Sequence, residues 1–185
     1  TRFPESDVTT LTVRAEKPTR MTLRVRVPYW VGEGGWVKLD GRPLDAFAGP
    51  GSYVVLDRTW RDGERLEVRV PMRLHVHAMP DDSSLQAVMY GPLVLVGRMG
   101  TEGITAANRR AEPTKPRTVP EFKDPAPPPP PQIRAASGDV TSWVAPVAGK
   151  SLEFTTKGQP TALTMAPLYR VFDERYVVYW TVSRG

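Results

Sequence analysis

The stretch Leu66-Glu67-Val68-Arg69-Val70 alternates apolar and charged residues along its whole length. Side chains on a β-strand point to opposite faces in turn, so this pattern predicts a strand with one buried and one solvated face. Three other runs share the pattern, Leu11–Ala15, Met21–Val27 and Met72–Ala78. Repeated one-sided alternation is typical of antiparallel sheets that cover a core on one side.

Turn signals separate these runs at intervals of roughly ten residues, the spacing typical of a sandwich. Asp40-Gly41 lies between Val37–Leu39 and Leu44, and Asp62-Gly63 lies between Trp60 and Leu66. Asp-Gly favours the positive φ angles of tight hairpins. No window has a convincing helical period. The sequence therefore predicts an all-β fold, an antiparallel β-sandwich of the jelly-roll or immunoglobulin-like type, built as two packed β subdomains.

The pattern changes in the second half of the chain. Leu93–Val96 and Tyr176–Trp180 are continuous apolar or aromatic runs, which are typical of strands covered on both faces. We therefore expect a first β-sandwich domain over residues 1–84 and a second β subdomain over 85–185. In the second, the segment Tyr176–Val182 should pair with Leu93–Val96.

A proline-rich stretch over residues 100–139 joins the parts of the second subdomain. Proline provides no backbone donor, so we expect this insert to be irregular and Pro127–Pro131 to form an extended polyproline segment. A spacer is one interpretation of that run. A docking peptide for an aromatic-lined groove is the other.

Composition narrows the range of functions. The chain has 185 residues, 40% hydrophobic and 24% charged, and a net charge of +5. Its arginines alternate singly with apolar residues, as in Leu23–Val27, which indicates a solvated sheet face and predicts no nucleic-acid partner. No apolar run reaches the roughly 20 residues of a membrane helix, so we expect no membrane partner. Cysteine is absent, which excludes disulfides, thiolate ligands and a cysteine nucleophile.

Several motifs occur in an order that resembles a known family. They are Phe3-Pro4, Leu23–Trp30, Val37–Pro43, Arg58–Glu64, Ala87–Leu95 and Pro167–Val171. In this order they resemble the region that follows the catalytic barrel in the β-L-arabinofuranosidase family, glycoside hydrolase family 127. The resemblance covers nearly the whole chain, and the proline-rich insert departs from it.

The resemblance implies a parent enzyme with an (α/α) barrel that acts on arabinofuranosides or related sugars. It transfers no catalytic residue, because no position here matches the family's glutamate or cysteine motifs. The start at Thr1 favours a piece cut from a longer protein and leaves the compartment open. We therefore expect a non-catalytic C-terminal region without a cofactor, whose partner is the parent's own barrel. A homodimer contact stays open.

Two groups of polar residues are candidates for a catalytic or metal-binding site. The acidic pairs Asp81-Asp82 and Asp173-Glu174 adjoin strands at turn-like positions, where solvated turn residues are common. Adjacent residues on an extended chain point apart, so neither pair can flank a glycosidic bond alone. His75 and His77 lie on one strand face and could chelate a metal, but no third ligand is fixed by spacing, and we predict no metal site.

Four aromatic residues offer an alternative function. Tyr29, Trp30, Trp36 and Trp60 lie near turns, where rings can stack on sugars. They are the candidate residues of a carbohydrate-binding module with a polysaccharide partner. In the other interpretation, Trp30 and Trp60 close the ends of the sandwich. Exposure of the rings distinguishes the two.

Overall fold

The computed structural model describes residues 1–102, 104 and 129–184. Over these residues the chain forms fifteen β-strands and two short 3₁₀ turns, Val140–Ser142 and Leu168–Arg170, with no α-helix. In that part of the chain, no helix has the length and apolar character needed to cross a membrane. The strands are β1 (Val8–Thr12), β2 (Thr19–Arg26), β3 (Trp36–Leu39), β4 (Arg42–Leu44), β5 (Tyr53–Trp60), β6 (Arg65–Arg69), β7 (Leu74–Ala78), β8 (Leu85–Tyr90), β9 (Leu93–Arg98), β10 (Ile133–Ala135), β11 (Val144–Pro146), β12 (Phe154–Thr156), β13 (Thr164–Pro167), β14 (Tyr176–Val177) and β15 (Tyr179–Arg184).

The strands form three sheets in two compact units. Unit 1 comprises Thr1–His75 with Tyr90–Pro92, and unit 2 comprises Val76–Met89 with Leu93–Gly185. A four-stranded sheet has the order β1-β6-β3-β4, and β2 and β5 form a second sheet. A nine-stranded sheet has the path β10-β15-β8-β9-β13-β12-β11, with β7 on β8 and β14 on β9. The expected all-β, antiparallel class is confirmed, and the type of sandwich stays a prediction.

Unit 1 is held by one hydrophobic core to which both of its sheets contribute. Strand β6 has the one-sided pattern predicted from the sequence, with Leu66 and Val68 buried. Strand β5 also alternates exposed and buried positions. The buried members of the core are Val27, Trp30, Val31, Val37, Val54, Leu56, Trp60, Leu66 and Val68.

The two Asp-Gly turns differ. Asp40 and Gly41 have φ angles of 47° and 77° and connect the paired strands β3 and β4, which confirms the predicted hairpin. The hairpin expected at Asp62-Gly63 is wrong, because β5 pairs with β2 whereas β6 pairs with β1 and β3. There the chain passes from one sheet to the other. The turn is fixed by hydrogen bonds from the Ala15 amide to the Asp62 carboxylate and from the Gly63 amide to the Val13 carbonyl.

In unit 2, the two continuous apolar runs belong to the same sheet but pair differently from the expectation. Val177 of β14 pairs with Gly97 of β9, beyond Leu93–Val96, and β15 pairs with β8 instead. The pairing expected between Leu93–Val96 and Tyr176–Val182 is therefore wrong in register. Leu95 and Val96 pair with β13.

The irregular insert expected over residues 100–139 ends earlier than predicted. Residues 133–135 form β10, which pairs with β15 in a parallel arrangement. Ile133 and Ala135 are buried, so this segment contributes to a core that a proline-rich spacer could not supply. Of the predicted polyproline segment Pro127–Pro131, residues 127 and 128 lie outside the described residues, and Pro129–Pro131 are exposed and belong to no strand.

Candidate functional site

Two of the four candidate aromatic residues lie in the core of unit 1. Trp60 is 1% exposed and donates a hydrogen bond from Nε1 to the Met21 carbonyl, 2.9 Å away. Trp30 is 8% exposed and stacks on Phe3 with ring centroids 6.3 Å apart. A sugar can stack only on an exposed ring face, and the faces of these two rings are covered by protein side chains. Their position matches the interpretation in which they close the core.

The other two rings are accessible. Tyr29 is 61% exposed, and its ring meets the edge of the His75 imidazole at a centroid distance of 5.8 Å. Trp36 is half-buried, with the Lys38 ammonium 4.4 Å from its ring centroid. A cation over an indole is a favourable contact and occupies that region of the ring. Tyr29 is therefore the more open of the two aromatic surfaces.

The His75 side chain forms a hydrogen bond with the backbone. Its Nε2 donates to the Gly91 carbonyl at 2.9 Å, because a carbonyl oxygen can only accept. Gly91 itself has a φ of 55°, and a Cβ there would lie 2.6 Å from Met72 Cγ, so this close approach requires glycine. His77 lies on β7 and is exposed. Within the described residues, no three histidine, cysteine or acidic side chains come together as metal ligands.

The acidic pairs serve local structure. The Asp82 carboxylate accepts hydrogen bonds from the Ser84 hydroxyl at 2.6 Å and the Ser84 amide at 2.9 Å. These bonds lower the pKa of Asp82, because they stabilise its charged form. Glu174 accepts from Arg98 Nε at 2.7 Å, which joins the loop before β14 to the end of β9. Both acids thus have roles in turns or ion pairs within unit 2.

Unit 1 also contains a groove that the sequence did not single out. It has a volume of about 650 Å³ and lies between a glycine-rich loop and the loop before β5. We call it the glycine-loop groove; it is lined by Val31, Gly32, Glu33, Gly34, Gly35, Phe47, Ala48, Gly49, Pro50 and Arg73. Most of its walls are apolar or backbone, and Glu33 and Arg73 are its two charged side chains.

The loop geometry explains why glycines occur there. A Cβ at Gly35 would lie 2.1 Å from Phe47 Cζ, so the Phe47 ring lies directly on the Gly35 backbone. Gly34 has a φ of 81°, and its carbonyl faces Arg69, which Asp7 holds through a 2.9 Å ion pair. The Gly-Glu-Gly-Gly run at residues 32–35 was the available sequence signal for this groove.

Comparison with known proteins agrees with this all-β architecture. Residues 1–72 match the family model of the β-L-arabinofuranosidase GH127 middle domain, and residues 75–182 match a domain of unknown function, DUF4986. The larger part of the chain, residues 75–182, belongs to the DUF4986 family, and the match of residues 1–72 confirms the resemblance of its motifs to the β-L-arabinofuranosidases of GH127. No curated protein matches the chain.

Solved structures share the fold along the whole chain. The GH127 β-L-arabinofuranosidase Ara127N-Se from Geobacillus stearothermophilus T6 aligns with a TM-score of 0.62 and 17% identity, over 100% of this chain and 30% of that enzyme. A glycoside hydrolase aligns at 0.59 and 15%, over 100% of this chain and 32% of the other. The GH127 β-arabinofuranosidase BT3674 aligns at 0.59 and 15%, over 99% and 31%. The chain thus spans about a third of the length of the structures it matches.

Proposed function

We propose that this chain is a non-catalytic, C-terminal β-region of a glycoside hydrolase of the β-L-arabinofuranosidase type, and that it packs on and supports the parent's catalytic barrel. The observation that carries the proposal is the extent of the structural match, which includes all of this chain and 30% of a GH127 enzyme. A glycosidase needs two carboxyl groups that converge on one bond. In the acidic pairs Asp81-Asp82 and Asp173-Glu174, Asp82 accepts a hydrogen bond from Ser84, and Glu174 accepts one from Arg98.

The fold predicted from sequence fits this role. We retain an antiparallel sandwich of the jelly-roll or immunoglobulin-like type, with a first domain over residues 1–84 and a second over 85–185. The shared core of unit 1 supports the sandwich arrangement. Val37 and Leu66 of one sheet belong to the same buried cluster as Val54 and Trp60 of the other.

Unit 2 has exposed apolar side chains suited to a contact surface. Phe172 is 73% exposed, and Leu168 and Tyr169 nearby are 40% and 44% exposed. Large apolar side chains grouped in solvent are typical of protein interaction sites. We assign this surface to the barrel; a contact between two copies of the chain is the competing assignment. Sedimentation of the chain alone distinguishes them, since only the second predicts a dimer lost in Phe172→Ser.

The experiment that tests the absence of catalysis is a turnover assay with 4-nitrophenyl β-L-arabinofuranoside. The chain alone should release nitrophenol no faster than buffer, whereas a longer form of the protein that carries the barrel should release it readily. Matched preparations of the chain with Asp82→Asn and Glu174→Gln serve as controls for contamination. Turnover by the chain that falls in either variant would refute the proposal.

A second candidate is carbohydrate binding, favoured by the 61% exposure of Tyr29 and the half-buried position of Trp36. Retarded migration of the chain in a gel that contains arabinoxylan is the expected sign. Tyr29→Ala and Trp36→Ala should restore free migration without unfolding the chain. Trp60→Ala is not a fair test, since that ring lies in the core.

A further inference from the structure

We propose that the glycine-loop groove and the adjacent Tyr29 ring form a binding site for a neutral oligosaccharide, with one sugar in the groove and the next on the ring. The inference rests on the carbohydrate-binding candidate above and names its site and ligand class. It is independent of the support that the chain gives to a barrel.

The size and walls of the groove suit a sugar ring. Its volume of about 650 Å³ lies within the usual range for small-ligand pockets, about 300–1,000 Å³. The Phe47 ring is fixed in position against Gly35, and Val31 and Pro50 add apolar wall. A sugar presents C–H groups on its ring faces, and these are matched by aromatic and aliphatic surface.

The two charged side chains of the groove are available to a ligand. Among the described residues, neither Glu33 nor Arg73 has a side-chain hydrogen bond or an ion pair, and the two are not paired with each other. Arg69 differs, because Asp7 and the Gly34 carbonyl hold its guanidinium. Glu33 can accept hydrogen bonds from hydroxyl groups, and Arg73 can donate to them. A polyhydroxylated ligand satisfies both.

The opposite signs of these charges also decide against an ionic ligand. An anion attracted by Arg73 would meet the Glu33 carboxylate, and a cation attracted by Glu33 would meet the Arg73 guanidinium. Like charges brought close in a partly desolvated groove are unfavourable. The groove therefore favours neutral over acidic or basic sugars.

An aromatic ring lies on the turn that precedes the groove. Val31, which lines the groove, forms an isolated β-bridge with Met72, and the turn Pro28–Val31 is closed by a hydrogen bond from the Val31 amide to the Pro28 carbonyl. Tyr29 in this turn packs against His75, which lies two residues beyond Arg73 of the groove wall. Tyr29 and His75 are thus each two residues from a lining residue, and the exposed Tyr29 ring is where we place the neighbouring sugar.

The test is isothermal titration of the full chain with linear arabinotetraose, and with trigalacturonate as the acidic probe. Arabinotetraose should bind saturably, and trigalacturonate about tenfold more weakly or not at all. Glu33→Gln, Arg73→Gln and Tyr29→Ala should each weaken arabinotetraose binding about tenfold, the effect of losing one hydrogen bond to a charged group or one stacked ring. All three side chains are exposed in part or whole, so circular dichroism should show intact folding.

Matched controls replace exposed residues of the same types elsewhere in unit 1, with Arg42→Gln on β4 and Tyr53→Ala on β5 expected to bind normally. Binding that survives Glu33→Gln and Arg73→Gln, or that prefers trigalacturonate, overturns the groove as the site. If arabinotetraose binding is lost in Trp36→Ala and in none of the three groove variants, the groove is not the site, although the chain still binds carbohydrate. If no sugar binds, the groove site and carbohydrate binding by this chain are both refuted. The turnover assay still tests the non-catalytic role independently.

Discussion

Among the glycines of unit 2 that the structure describes, Gly97 in β9 should tolerate substitution least. A Cβ at this position would lie 2.4 Å from Cη2 and Cζ2 of Trp180 and 3.0 Å from Val177 Cγ1. Carbon atoms at favourable separation are about 3.5–4.0 Å apart, so an added methyl must displace the indole by roughly 1 Å. Trp180 is fully buried, and a displaced ring must therefore push other core side chains.

We expect Gly97→Ala to lower the free energy of unfolding by about 2 kcal/mol, within the usual cost of about 1–3 kcal/mol for an overfilled core. The two clashing atoms, Cη2 and Cζ2, belong to the six-membered ring of the indole. The shorter phenylalanine side chain places no atom that far from its own backbone. In a Trp180→Phe background, the same Gly97→Ala change should therefore cost less than about 1 kcal/mol. The difference between the two costs measures the contact directly.

The measurement is urea unfolding followed by the amide NMR signals of β9 and β15, which report on unit 2. Gly138→Ala is the matched control within unit 2, because its added Cβ would meet only the flexible end of the Arg184 side chain, at 3.3 Å, and it should change stability by no more than about 0.5 kcal/mol. An equal effect of Gly97→Ala and Gly138→Ala would refute the packing described for this sheet. So would an unchanged cost in the Trp180→Phe background.

Three further predictions concern the core, a turn and a titration. Trp60→Ala should destabilise unit 1 by about 3–5 kcal/mol in urea unfolding, because it empties a fully buried site and leaves the Met21 carbonyl without its donor. Gly41→Ala should cost about 1 kcal/mol in the same assay, since its φ of 77° is left-handed, and a negligible cost would contradict the hairpin. The Asp82 carboxyl should titrate by NMR below the usual aspartate pKa of about 3.9, and Ser84→Ala should raise the midpoint. Because the folded pKa is lowered, the contribution of Asp82 to stability is complete above the usual pKa and is lost as the pH falls through the lowered value; a midpoint unmoved by Ser84→Ala would contradict the hydrogen bond.

Local patterns predicted the strands of unit 1 well, because alternation depends on which face of a strand meets the core. They failed where the outcome depends on distant partners. Leu11 is 39% exposed and Met21 46% exposed, although both belong to alternating runs. The Asp62-Gly63 turn has the sequence of a hairpin, yet its flanking strands pair in different sheets. Nothing in a four-residue turn specifies which sheet receives the next strand.

The candidate site shows the same limit. The sequence marked four aromatic residues near turns, but ring exposure is set by packing, and the core of unit 1 takes up Trp30 and Trp60 while Tyr29 stays in solvent. The groove depends on Arg73, which pairing of the Val31 and Met72 segments brings beside the glycine-rich loop. That meeting of residues about forty positions apart has no local sequence signal.

The most direct test of the proposed supporting role is reconstitution with the catalytic barrel proposed for the parent protein, produced separately. Adding this chain should raise the melting temperature of the barrel in a saturable, one-to-one manner, because a partner that binds the folded state stabilises it. The Phe172→Ser variant should lose the effect, and Tyr53→Ala, which alters an exposed ring of unit 1, should keep it. A barrel that melts at the same temperature and turns over substrate equally well with and without the chain would contradict the account.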